Sequence, residues 1–141
     1  IRIKPEDELI GVNLIDPNEQ KLFLLLLTSK GYGKNLQVTE FKCQGRGGVG
    51  VKALRFRKTV PGDRVQNAVI ATKEDEIMVA TKKGTICRQS IGRISVQRRG
   101  SQGVIVVKLD ADDIVTSLAK VLREDEELIP SSDPKQLKIS T

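Results

Sequence analysis

Residues 45–50 read Gly-Arg-Gly-Gly-Val-Gly, a G-x-G-x-x-G spacing of the kind that can cradle a nucleotide pyrophosphate. That chemistry needs a strand before the glycines and a helix after them, so that the phosphates meet a helix N-terminus. Here the polar stretch Lys42-Cys43-Gln44 comes first and an apolar, strand-like run at 51–56 follows. A related stretch, Arg98-Arg99-Gly100-Ser101-Gln102-Gly103, lacks the first glycine, and no G-x-x-x-x-G-K-[ST] occurs anywhere. The chemistry left to these loops is simpler. Glycines at positive φ let the main chain approach a phosphate closely, with Arg46, or Arg98 and Arg99, alongside. A plain strand-connecting turn is the alternative.

Other reactive groups are few. The chain has no His, which removes Ser/His and Cys/His nucleophile pairs and most catalytic zinc sites. Cys43 and Cys87 are far apart, with no CxxC, and read as reduced cytosolic thiols. The longest apolar run, residues 22–27, is six residues against the roughly 20 of a membrane span, so no membrane is expected. The chain opens on neither a signal peptide nor Met, and Ile1 is read as a cut end of something longer.

The charge is unevenly placed. The 141 residues carry a formal +6. Residues 28–58 hold eight basic residues against Glu40 alone, and residues 82–108 hold seven against no acid. Such stretches suit a polyanion, because Lys and Arg neutralise phosphates and release counterions without reading sequence. With only four aromatics, Phe23, Tyr32, Phe41 and Phe56, stacking platforms for single strands are scarce, so duplex is favoured. Tyr32, in a Gly-Tyr-Gly turn, is the one aromatic expected at the surface.

The elements that must position these charges follow from an internal repeat. Residues 28–56 align without a gap on 81–109 at a shift of 53, with eight of 29 positions identical. Asp7, Asp63 and Asp113 each open a new unit, placing units at about 7–56 and 63–109. Each unit reads as four short strands: 9–14, 22–28, 34–38 and 51–56, then 65–72, 76–81, 86–90 and 104–109. Residues 1–3 and 114–122 read as terminal strand stubs. The expectation is all-β, propeller-like, with two four-stranded blades over residues 1–122. Residues 123–141, with four consecutive acids at 124–127, read as a mobile acidic and polar tail.

With those motifs in view, the order KGYGK…EF…Q-x-R-G-G-x-G-V-K in the first unit and DEIM…T-K-K-G-T…R…I-S-V in the second resembles a known family. It is similar to the C-terminal domain of the A subunit of bacterial DNA gyrase, a type IIA topoisomerase. The likeness runs from Ile1 to about Leu122 and looks like the last two blades. It implies a β-pinwheel, a disc of blades that exchange strands, with duplex DNA bent and wrapped on a basic outer rim to serve supercoiling. The family's box Q-R-R-G-G-K-G is matched at five of seven positions by both 44–50 and 97–103. Its wrap-initiating role is assigned to neither.

On the matching turns, the resemblance implies DNA contacts by Lys30, Lys34, Arg46, Lys82, Lys83, Arg88, Arg98 and Arg99. The turn and loop glycines are Gly31, Gly47, Gly48, Gly50, Gly84, Gly100 and Gly103. No catalytic or metal residue is expected in this chain, and ATP and Mg²⁺ would belong only to the whole enzyme. The implied partners are double-stranded DNA, the remaining blades and N-terminal domains of the gyrase A subunit, and the gyrase B subunit. Self-association through open edge strands is a further expectation, in a cytoplasmic, nucleoid-associated protein. The readings kept open are a domain like that of the topoisomerase IV A subunit, a propeller-type module for an acidic protein, and a small basic RNA-binding barrel.

Overall fold

The computed structural model describes residues 1–121; the expected acidic tail at 123–141 lies outside the described residues. Seven strands form: β1 (Phe23–Thr28), β2 (Tyr32–Gln37), β3 (Val65–Ala71), β4 (Glu76–Thr81), β5 (Ile86–Ser90), β6 (Val104–Ile105) and β7 (Val115–Val121). Two short 3-10 turns, Val38–Glu40 and Ile91–Arg93, follow β2 and β5. The fold is all-β, and among the described residues there is no α-helix.

The hydrophobic patterns of β1 and β4 already distinguish the two sheets. FLLLLT in β1 is a continuous apolar run, as expected of a strand covered on both faces. Leu25 and Leu27 enter one core with Ala71, Ile77, Val79, Ile91, Ile94, Val107 and Val115, while Leu26 turns to a second with Leu36 and Leu54. EIMVAT in β4 alternates, burying Ile77 and Val79 and leaving Met78 exposed. Each fully buried Leu or Val contributes roughly 1.5–3 kcal/mol of apolar transfer. The shared core between the sheets is therefore the main adhesive of the molecule.

Strand order is β3-β1-β2-β6 in the first sheet and β5-β4-β7 in the second, and every named pairing is antiparallel. The sheets do not coincide with the sequence units. The hairpin β1–β2 comes from the first unit, but its flanking strands β3 and β6 come from the second. In the same way β7 closes on β4. The expectation of four strands drawn from one unit is corrected accordingly: residues 9–14 and 51–56 form no strand. Their repeat equivalents, β3 and β6, pair with the hairpin of the unit before them. Among the described residues no hairpin precedes β1 to receive 9–14 or 51–56, and a strand without a ladder partner leaves its N–H and C=O groups to water. Residues 1–3 likewise form no strand. The last expected strand of the second unit is cut to two residues, because the N–H groups of Val106 and Val107 both turn to the carbonyl of Gly31.

Both hairpins carry the same irregularity. Register shifts between Leu27 and Thr28 where β1 meets β3, and between Ala80 and Thr81 where β4 meets β7. The repeat thus extends from sequence to a shared bulge at each hairpin tip.

Candidate nucleic-acid interface

The basic residues sit on two kinds of support: the hairpin tips and the glycine-rich loops. At the first tip, Gly31 takes φ +86° and its N–H closes the turn on the Thr28 carbonyl at 3.1 Å. At the second, Gly84 takes φ +89° and bonds the Thr81 carbonyl at 3.0 Å. That left-handed conformation is accessible to glycine and costly to most other residues. The tips are tied down by the aspartates that open the following units. Asp63 Oδ1 accepts from the Ser29 hydroxyl and the Lys30 N–H, both at 3.0 Å, and from the Arg64 N–H at 2.9 Å. Asp113 Oδ1 accepts from the Lys83 N–H at 3.0 Å and the Ile114 N–H at 2.9 Å.

Burial pushes the Asp113 carboxyl up, but hydrogen bonds from the Thr81 hydroxyl and the Lys83 and Ile114 N–H groups, with the Lys83 charge, outweigh it. The group is held below its ordinary value. In the sequence these aspartates are legible only as unit markers; their structural job, fixing the backbone under Lys30 and Lys83, emerges from the fold. Lys82 and Lys83 are exposed and Lys30 is half-buried, with the Lys83 ammonium bonded to the Ala111 carbonyl.

The loop at 97–103 leaves the outer edge of the first sheet. Residues 95–97 run parallel to β2 beside Asn35, then the chain turns and returns as β6 against Tyr32 and Gly33. The turn is closed by the Ser101 N–H on the Arg98 carbonyl at 3.1 Å. Gly103, at φ +74°, lies so close to Gly33 that a Cβ would stand 2.7 Å from its carbonyl oxygen. Arg98 is exposed; Arg99 is half-buried and donates through Nη1 to the Lys52 carbonyl at 3.2 Å. The equivalent loop at 44–50 exposes Arg46, with Gly47 and Gly50 at φ +73° and +78°. Gly48 and Gly100 do not take positive φ.

Two expected contacts are placed differently. Lys34 is not on the surface: it is 0% exposed. Its ammonium donates to the carbonyls of Arg98 at 2.8 Å, Arg99 at 2.9 Å and Ser101 at 3.0 Å, with the Ser101 Oγ also at 3.0 Å. A phosphate cannot reach a cation enclosed in this way, so Lys34 is corrected from a DNA contact to an internal clamp. Burial draws its pKa below the ordinary lysine value, and the Glu40 charge opposes that. Arg88 remains exposed, but its guanidinium is paired with Glu76 across β4 and β5, with Nε 2.8 Å from the carboxylate.

Tyr32 is half-buried beneath Arg57, whose guanidinium lies 4.7 Å from the ring centroid and donates to the Gly103 carbonyl at 2.7 Å. Local sequence does not mark Arg57 as an organiser, because its partners lie far along the chain. Both cysteines are free, and burial pushes the Cys87 thiol up, away from reactivity. Among the described residues no cluster of three His, Cys, Asp or Glu could hold a metal ion, and no helix is long and apolar enough to cross a membrane.

Two flanked hairpins in repeat, each ending in a Lys-Gly tip, define a propeller-like strand-exchanging domain. The comparisons carry this further. The sequence matches the family described as DNA gyrase C-terminal domain, beta-propeller, over residues 23–72 and 75–122, and the chain belongs to that family. It is 41% identical to the DNA gyrase A subunit of Synechocystis sp. over 105 residues, covering 74% of this chain and 12% of that protein. It is 32% identical to the DNA gyrase A subunit of Staphylococcus epidermidis over 126 residues, covering 89% and 14%. The chain thus spans about an eighth of these relatives' length. Among solved structures it resembles a DNA gyrase A C-terminal domain with TM-score 0.65 and 28% identity, covering 71% of this chain and 33% of that one. It also resembles a C-terminal domain of DNA topoisomerase IV, with TM-score 0.66 and 30% identity, covering 74% and 32%.

Proposed function

We propose that this chain binds duplex DNA through its phosphates, without sequence preference, and bends it along the edges of successive sheets. The observation that carries the reading is the equivalence of the two hairpin tips. Lys30 on one and Lys82 and Lys83 on the other occupy the same place on consecutive sheets, joined by Arg98 and Arg99 on the loop at the β2 edge. Spaced cations of this kind neutralise a phosphate backbone at intervals, and each neutralised phosphate steepens the salt dependence. Bending 20–30 base pairs by 40–90° costs roughly 1–6 kcal/mol on elastic estimates, which several phosphate contacts must offset.

On this reading the chain, residues 1–122 with a 123–141 tail, is part of the A subunit of an ATP-dependent type IIA topoisomerase of the gyrase kind. It works in the cytoplasm with the other blades and domains of that polypeptide and with the gyrase B subunit. ATP and Mg²⁺ serve other parts of the assembly. A topoisomerase IV-like parent is the second reading, supported by a structural likeness of equal strength.

The test is fluorescence anisotropy of a 20-base-pair duplex titrated with the chain at several salt concentrations. Affinity should fall steeply with salt and be the same for unrelated sequences. Affinity indifferent to salt, or stronger binding to single-stranded RNA or to an acidic protein, overturns the reading.

A further inference from the structure

The buried ammonium of Lys34 has an effect on the far side of the loop it holds. Three carbonyls, those of Arg98, Arg99 and Ser101, point inward at one cation. In a trans peptide the N–H of the next residue points the opposite way. Collecting these oxygens on the inside therefore turns the N–H groups of Arg99, Gly100 and Gln102 outward. The first already holds an oxyanion: Glu40 Oε2 accepts from the Arg99 N–H at 3.1 Å. The Gly100 and Gln102 N–H groups make no hydrogen bond among the described residues. The space above Gly100 is open, with no atom within 4 Å of where a Cβ would stand. The exposed side chain of Arg98 belongs to the same turn.

We propose that the turn at residues 98–102 is a main-chain site for one phosphate group of duplex DNA, with Gly100 and Gln102 N–H as its donors and Lys34 as its positioning residue. Main-chain N–H groups turned to one side of a turn make an anion-binding concavity, and here a lysine on the opposite side holds the carbonyls of the same peptides. This inference rests on the duplex-binding reading above and adds a defined site to it. It also explains why Lys34 aligns with Cys87 in the repeat rather than with another lysine. No loop among the described residues lies beside Cys87 to be organised.

The experiment is a ¹H–¹⁵N NMR titration of the full chain, first with a 20-base-pair duplex and separately with inorganic phosphate. With duplex, the Gly100 and Gln102 amide protons should move downfield together and become protected from exchange. In Lys34→Met those two shifts should disappear and duplex affinity should fall about tenfold, while the amides of the Lys83-Gly84 tip still respond. Duplex binding that leaves Gly100 and Gln102 unperturbed in the native chain overturns the site, whatever the variant does. Unchanged amide shifts in Lys34→Met overturn the positioning role. If duplex does not bind at low salt, the broader reading fails; inorganic phosphate shifting the same two amides then upholds the anion site, and no shift removes it.

Discussion

The loops at 44–50 and 97–103 share five residue types with the same glycine-rich box, yet they fold differently. In 97–103 the turn closes through Ser101 and Arg98, and three carbonyls converge on Lys34. In 44–50 the corresponding bond from Gly48 to Gly45 is not made, Gly47 rather than its counterpart Gly100 takes positive φ, and most of the loop is exposed. Part of this is local, since the Ser101 hydroxyl accepts from Lys34 and donates to the Arg98 carbonyl, whereas its counterpart is Gly48. The rest comes from the unit before: β2 supplies Lys34, and the 3-10 turn after it supplies Glu40, to 97–103, and among the described residues no earlier unit's sheet stands ready for 44–50. A basic loop of this domain is thus shaped by the repeat that precedes it, and the same dependence can be probed elsewhere in the chain.

The largest contrast is expected at the tips. A Cβ on Gly31 would stand 2.2 Å from the Val107 carbonyl oxygen, whereas one on Gly84 meets nothing within 4 Å. Both substitutions carry the positive-φ cost, about 1–2 kcal/mol. Only Gly31→Ala must also move backbone, adding about 1–3 kcal/mol. Urea unfolding should therefore rank Gly31→Ala well below Gly84→Ala; equal losses would show that the second unit does not cover the first tip.

Lys34→Met comes next. The Arg98 carbonyl keeps bonds from the Ser101 N–H and hydroxyl, and the Ser101 carbonyl keeps the Arg55 N–H. Only the Arg99 carbonyl is left without a partner, so the loss should be about 1–3 kcal/mol in the same assay. In DNA binding, Arg98→Ala with Arg99→Ala should lower the slope of log K against log salt by about 1.8, and Arg46→Ala by about 0.9. A larger effect at Arg46 than at Arg98 and Arg99 together would move the main phosphate contacts to the loop at 44–50.

Smaller effects concern acid and the second unit. The Asp113 carboxyl is held below its ordinary value of 3.8, so its stabilising contribution is fully present above that pH. It is lost as pH falls through the lower folded value. Asp113→Asn should flatten the acid limb of a stability profile recorded below pH 4. Cys87→Lys, which copies the first unit's residue where no described loop awaits it, should cost about 1 kcal/mol, because Cys87 is half-buried against the shared core. A large gain would mean that an acceptor cage exists there after all.

Much of this architecture could be read from residue order. The unbroken apolar run of β1 and the alternation of β4 mark a doubly covered strand and a half-solvated one, and the T-x-K-G tips locate both hairpins. The failures share a cause. Residues 9–14 and 51–56 have strand-like composition, but a ladder needs a partner, and the repeat sends theirs to a preceding unit. Lys34 belongs to a basic stretch, so its type and phase point outward; its acceptors lie more than sixty residues downstream, beyond what local pattern can report. The one hint is its alignment with a cysteine, a residue type often buried.

Because β3 and β6 complete a hairpin that lies earlier in the chain, the order of synthesis matters. The β1–β2 hairpin is made first, and Leu25 and Leu27 lack their full cover until Val107 and Val115 have been translated and docked. Each repeat acts as the template for its successor's strands, so damage to one repeat should be felt first as misassembly of the sheet before it. Contacts this distant in sequence slow folding, and the waiting hairpin is the stage at which nascent chains are most exposed to mispairing.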